Sequence, residues 1–148
     1  MNLKKALNRR AINLELKSST KETVVEELVD LLVSAGMIKE RGSVVTAVLN
    51  RESKMSTGMQ HGIAIPHGKS DTVDSLVCAV GLCRSGIDFD SIDGESCKIF
   101  ILTVSPINRT GPHIQFLAEI SRLLNEENVR NQLLHASSEE VVVRILTG

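Results

Sequence analysis

The chain has no tryptophan and no tyrosine, and its aromatic content is only 2%. A stacking platform for single-stranded nucleic acid and the interfacial aromatic belt of a bilayer protein are both missing. An excess of charge of one sign is missing too, since 17 basic side chains stand against 18 acidic ones and the formal net charge is −1. Such a balance gives the whole molecule no pull toward nucleic acid or an anionic membrane, so any partner must be recognised locally. No apolar run reaches the length of a membrane span. The basic start of the chain (Lys4, Lys5, Arg9, Arg10) also lacks the long apolar segment that a secretory signal carries behind its charges. Cysteine is scarce. Cys78, Cys83 and Cys97 form no CxxC pair, and an odd count without a signal segment predicts free, core-packed thiols in a reducing cytoplasm.

What is present suits an ordinary globular domain: 148 residues, 42% hydrophobic and 24% charged. A chain of that length buries most of its unfolded surface without a disulfide or metal staple, and we expect one domain over residues 1–148. Residues 2–8 read as a short helical turn. Residues 12–16 alternate strictly between apolar and polar and read as a strand with one buried face. Ser19-Thr20-Lys21-Glu22 has capping-box spacing ahead of a helical stripe of Val24, Val25, Leu28, Leu31 and Leu32 that ends near Gly36. Gly42-Ser43 opens a second helix with Val44, Val45, Val48 and Leu49 on one face, running out at residues 51–53.

The middle of the chain changes character, with residues 76–82 and 98–104 reading as buried aliphatic strands joined by a polar, acidic connection at residues 88–95. Thr110-Gly111-Pro112 starts a further helix, with Ile114, Leu117, Ile120, Leu123 and Leu124 as its expected apolar stripe. Residues 126–135 and 137–146 are two short helices, the last with Ser137 and Glu140 at capping-box spacing. Helices flanking a central run of strands predict an α/β fold, a mixed β-sheet covered on both faces in one layered domain.

One segment stands apart from this pattern. Gly62-Ile63-Ala64-Ile65-Pro66-His67-Gly68-Lys69 is a short apolar strand stopped by proline and followed at once by a histidine. Proline cannot donate to a sheet ladder, and glycine allows close backbone approach, so His67 reads as displayed for chemical contact rather than packed. Taken alone, the tripeptide Pro66-His67-Gly68 more often marks a loop histidine after an edge strand.

Arg51-Glu52, Ser56-Thr57-Gly58, the block from Gly62 to Gly68, and Pro112-His113-Ile114-Gln115-Phe116-Leu117-Ala118 occur together and in order. In these motifs the chain resembles the enzyme IIA domain of the fructose and mannitol type, from the bacterial phosphoenolpyruvate-dependent sugar phosphotransferase system (PTS). The resemblance covers essentially the whole chain and includes the nitrogen-regulatory branch of that family. It implies that His67 accepts a phosphoryl group, as a tele-phosphohistidine, from HPr or its nitrogen-branch counterpart. The next acceptor would be a cysteine on an enzyme IIB component of the IIB/IIC permease complex. In the regulatory branch, protein targets would instead be bound according to phosphorylation state. A neutral imidazole is a nucleophile near pH 7, and phosphoryl transfer asks a protein mainly for alignment and charge stabilisation.

The resemblance assigns His113 to phosphoryl stabilisation and transfer, and Arg51 to contact with phosphate or partner. His113, just inside a helix N-terminus, should stay neutral because the helix dipole disfavours imidazolium there. Thr57, Gly58 and Gly68 are candidate suppliers of backbone donors. His61 replaces an asparagine of many members and is a possible rim residue; in an extended segment it would share strand parity with His67. Glu52 reads as structural, Lys69 and Arg109 as loop cations beside the two histidines, and His135 as a helix-capping surface residue. No cofactor, metal, nucleic acid or membrane insertion is implied. A zinc hydrolase built on His61, His67 and His113 is a remote alternative without HExxH or short Cys/His spacing to support it. An interaction module with a dead site would need the acceptor histidine replaced, and it is present.

Overall fold

The computed structural model describes residues 3–148. Two antiparallel strands, β4 (Val77–Ile87) and β5 (Cys97–Pro106), form the spine. On one side β1 (Leu7–Asn13) adds parallel to β4. On the other side β2 (Ile63–Ala64) and β3 (His67–Ser70) both add parallel to β5, giving a mixed five-stranded sheet. Side chains alternate across a strand, and along β5 this sorts the core into two layers. Phe100, Leu102 and Val104 face a cluster with α2 (Lys21–Ser34) and α3 (Arg41–Lys54). Ile99 and Ile101 face a cluster with α1 (Leu3–Ala6), α4 (Thr110–Leu124), α5 (Glu127–Leu134) and α6 (Glu139–Thr147). Both faces of the sheet are thus covered by helices, as read from the sequence. Cys78, Cys83 and Cys97 are buried free thiols. No helix among the described residues is long and apolar enough to cross a membrane.

Four local expectations are corrected. The first strand lies earlier than residues 12–16. It runs Leu7–Asn13 with exposed Arg9 and Arg10 on a sheet edge and a register irregularity between Leu7 and Ile12, which breaks the alternation that would have revealed it. Its predecessor is a single helical turn from Leu3, Asn2 lying outside the described residues. The helix caps sit one residue later than the Ser19–Glu22 and Ser137–Glu140 spacings suggested. Thr20 and Thr23 form the capping box of α2, and Ser138 Oγ accepts from the Val141 N–H of α6.

The buried stripe of α4 is His113, Phe116, Ile120 and Leu124, while Ile114 is 61% exposed. That rotation of the helix turns His113 inward. Finally, Pro66 interrupts an edge without ending it: the Pro66 carbonyl accepts from the Thr103 N–H at 3.0 Å, and pairing with β5 resumes at His67. A proline at this point removes no ladder donor that the sheet needs.

Candidate functional site

The edge of β5 carries the residues singled out from the sequence. On the outer side of β2, residues 57–59 close a small antiparallel flap, with Ile65 N–H donating to Thr57 O at 3.1 Å and Met59 N–H to Ile63 O at 2.7 Å. Beyond Pro66, His67 pairs in register with Thr103, and Lys69 with Ser105. Partners in a parallel ladder point to the same face. His67, Lys69, Thr103 and Ser105 therefore share the face on which α4 lies, while Gly68 turns to the opposite one. There a Cβ on Gly68 would meet the α3 backbone at Ala47 and Val48 within 3.2 Å.

The His67 ring is half-buried and its Nδ1 lies 2.8 Å from the Ile65 carbonyl oxygen. A carbonyl only accepts, so Nδ1 carries the proton and donates it to Ile65. The lone pair then resides on Nε2. Burial chiefly pushes the His67 pKa below its ordinary value, the Arg51 guanidinium adds to this, and the Ile65 hydrogen bond and Glu52 oppose it. A neutral ring with a free Nε2 is the nucleophilic form of histidine at neutral pH.

The orientation of that ring is anchored at some distance. The buried Glu52 carboxylate accepts from Thr57 N–H at 2.8 Å and from Thr57 Oγ1 at 2.6 Å, and Lys21 Nζ pairs with it at 3.0 Å. The Thr57 carbonyl in turn accepts from Ile65 N–H, and the Ile65 carbonyl accepts from His67. These hydrogen bonds, connected through the backbone of Thr57 and Ile65, tie the last turn of α3 to the imidazole. Glu52 is structural, as expected, and the structure shows what it supports.

His113 meets this edge from α4. Its ring centroid lies 5.4 Å from that of His67 at an interplanar angle of 57°. The side chain is 6% exposed, and Nδ1 lies 2.5 Å from Ser105 Oγ. Burial first, and the cationic forms of His67 and Lys69 next, hold its pKa down to about 4, so the ring is neutral at pH 7. Neutrality agrees with the reading from the sequence, but burial is the leading cause in place of the helix dipole. Lys69 Nζ donates to Thr110 Oγ1 at 3.0 Å across the first turn of α4. Thr103 Oγ1 is fully buried and has no hydrogen-bond partner among the described residues. Neither Ser105 nor Thr103 was singled out from the sequence, although a hydroxyl at alternate positions of an otherwise apolar buried strand is a visible signal.

Arg51 lies in the last turn of α3, close enough to lower the His67 pKa, and its Nη1 donates to the Met55 carbonyl at 2.9 Å. Of the expected backbone donors, Thr57 N–H is engaged by Glu52 and Gly58 N–H by Ser56 Oγ at 3.0 Å, and the missing side chain of Gly68 allows close packing of β3 on α3. Gly58 is equally a packing residue, since a Cβ there would stand 2.7 Å from the Phe89 carbonyl oxygen. His61 is not extended. It adopts φ 67° in an exposed turn with its N–H on the Asp93 carboxylate, so the shared parity with His67 is lost. Among the described residues, no group of three His, Cys, Asp or Glu side chains could hold a metal ion. His135 caps the end of α5 through Asn131 O at 2.8 Å.

The sequence model of one protein family, described as the phosphoenolpyruvate-dependent sugar phosphotransferase system EIIA 2, matches residues 5–148. The chain is 38% identical to a fructose-specific EIIA component of Haloferax volcanii, over 91% of this chain and 88% of that protein. It is 36% identical over 99% of its own length to a fructose-specific EIIABC component of Bacillus subtilis, of whose length it spans 23%. The fold superposes with a TM-score of 0.90 on the nitrogen regulatory protein IIA-Ntr of Neisseria meningitidis, at 29% identity over 96% of this chain and 97% of that one. It superposes with a TM-score of 0.82 on enzyme IIA mannitol of Escherichia coli, solved in complex with phosphorylated enzyme IIB mannitol, at 27% identity over 96% and 97% of the two chains. Motifs read from the sequence, the layered sheet and a match over nearly the whole chain lead to one conclusion: the chain belongs to the EIIA 2 family of the phosphoenolpyruvate-dependent sugar phosphotransferase system.

Proposed function

We propose that this chain is a phosphoryl carrier that accepts phosphate on Nε2 of His67 from HPr or a nitrogen-branch phosphocarrier and delivers it to an enzyme IIB component. The observation that carries this reading is the Nδ1–H···O=C bond from His67 to Ile65, which leaves Nε2 as the lone-pair nitrogen. In the accepting step Nε2 forms a bond to phosphorus as the phosphorus–nitrogen bond of the donor phosphohistidine breaks, and that electron pair returns to the donor ring. No proton need leave His67, because Nδ1–H stays on Ile65 throughout. The forward transfer repeats the same exchange with His67 as leaving group. His113 and Arg51 supply donors for the equatorial oxygens, on which most of the charge is spread.

A second reading shares this chemistry and changes only the acceptor. The superposition on IIA-Ntr favours a regulatory protein that binds targets according to the charge on His67. Incubation with labelled phosphoenolpyruvate, enzyme I and either phosphocarrier tests both readings. We expect an acid-labile, base-stable adduct that maps to His67 and is lost in His67→Ala, with His113→Ala still accepting but transferring more slowly. Equal labelling of His67→Ala would refute the assignment. Recovery of the label on an added IIB protein separates the transport reading from the regulatory one.

A further inference from the structure

A neutral imidazole beside a phosphoryl group helps or hinders according to which nitrogen holds its proton. An N–H turned to the phosphoryl oxygens donates to them, whereas a lone pair there repels them and is itself a competing nucleophile. Ser105 bears on this choice for His113. Its Oγ lies 2.5 Å from His113 Nδ1, and both residues are buried, Ser105 completely.

Two arrangements of hydrogen are open to that contact. If Nδ1–H donated to Oγ, the serine hydroxyl hydrogen would need an acceptor of its own, and Ser105 Oγ has no other hydrogen-bond partner among the described residues. A buried hydroxyl hydrogen left without an acceptor carries the full cost of its desolvation. If the hydroxyl donates to Nδ1 instead, one bond satisfies both groups, and the ring proton lies on Nε2. We propose that Ser105 is a positioning residue that holds His113 as the Nε2–H tautomer, the opposite of the tautomer that the Ile65 carbonyl imposes on His67. Backbone and side chain impose opposite states because a carbonyl can only accept, whereas a hydroxyl can also donate. His67 then has the only reactive lone pair of the two rings, and His113 presents a donor. The low pKa of His113 supports this arrangement, since a doubly protonated ring would have no tautomer to choose.

The role in transfer rests on the reading of His67 as phosphoryl acceptor, but the tautomer itself does not. A long-range proton–nitrogen correlation spectrum of the unphosphorylated, histidine-labelled protein at pH 7 tests it directly. We expect His113 to show a pyridine-type Nδ1 and a protonated Nε2, and His67 the reverse. Ser105→Ala should shift the His113 nitrogen signals toward a mixture of the two tautomers, and Ser105→Thr, which keeps the hydroxyl, should restore the pattern. In the same variants the half-life of phospho-His67 should fall severalfold in Ser105→Ala and recover in Ser105→Thr. A protonated Nδ1 on His113 in the unaltered protein, or His113 signals unmoved by Ser105→Ala with amide dispersion intact, would overturn the proposal. An altered tautomer with an unchanged phosphohistidine half-life would overturn its role in transfer. Absence of any phosphorylation of the unaltered protein would instead refute the carrier reading, while the spectrum would still decide the tautomer.

Discussion

At the scale of single residues, the candidate site is a study in which atoms are satisfied. His113 is kept neutral by the fold, whereas in the unfolded chain it protonates near 6.5; a drop to about 4 at ~1.36 kcal/mol per pH unit amounts to roughly 3 kcal/mol. Between those two values the unfolded chain binds the extra proton. Stability contributed by this group is therefore complete above about pH 6.5 and is lost as pH falls toward about 4. Urea unfolding from pH 7.5 to 4.5 should show the loss, and His113→Gln should flatten the profile over that window. Thr103 presents the contrary case, a buried hydroxyl without a partner. Replacing it with valine, of nearly the same shape, should leave the unfolding free energy unchanged or raise it by about 1 kcal/mol in the same assay. A marked destabilisation would mean that the hydroxyl has a partner in solution. The neutrality of His113 is legible in the sequence, but neither its leading cause, burial, nor the missing partner of Thr103 Oγ1 is. The His113 side chain could be placed near a helix start, but its burial depends on α4 being rotated so that Phe116 and Ile120, not Ile114, face the sheet.

At the scale of elements, the hydrogen-bonded chain from α3 through residues 57–65 to His67 makes Glu52 the remote support of the imidazole. Glu52→Gln keeps the shape but removes the charge that Lys21 and the Thr57 N–H both meet. We expect a loss of about 2–4 kcal/mol, because Lys21 then loses its buried counter-ion, together with slower phosphorylation of His67 and its adduct still at the same nitrogen. Chemical denaturation and a phosphorylation time course check the two effects. The long elements could be read directly: α2 from its stripe and Gly36, and β4 and β5 from their aliphatic runs. β1 could not be read, because its exposed cations and irregular register erase the period of two. β3 was hidden for another reason. Pro66 looks like an ending unless one knows that β5 lies alongside, and strand pairing is a long-range fact. The flap was equally hidden, which is why Thr57 and Gly58 were read as free donors.

At the scale of the whole molecule, β4 and β5 lie between two helical layers, with β2 and β3 on their edge. Amide hydrogen exchange should be slowest at Ala79, Val80, Ile101 and Leu102, paired at the centre of the sheet, and at least about tenfold faster at Ile63 and Gly68 on the edge. Equal protection would show that the edge opens only with global unfolding. The sheet also makes legible why the two histidines could be named separately but not joined: their meeting depends on the β3–β5 register and on the loop from Pro106 that returns α4 over that edge. The family motifs implied the meeting, and composition and periodicity did not.

The restraint of this site has a consequence of its own. Arg51 is partly engaged by the Met55 carbonyl, His113 is uncharged at neutral pH, and no metal-binding group stands among the described residues. A pocket crowded with cations would clasp a phosphorylated imidazole and turn it into a thermodynamic sink. On the proposed reading, a phosphorus–nitrogen bond formed on His67 would keep most of its transfer potential. Were His67 the phosphoryl acceptor proposed above, what is put on it could be given away again to either neighbour, with the direction of flow left to the supply and demand of the partners.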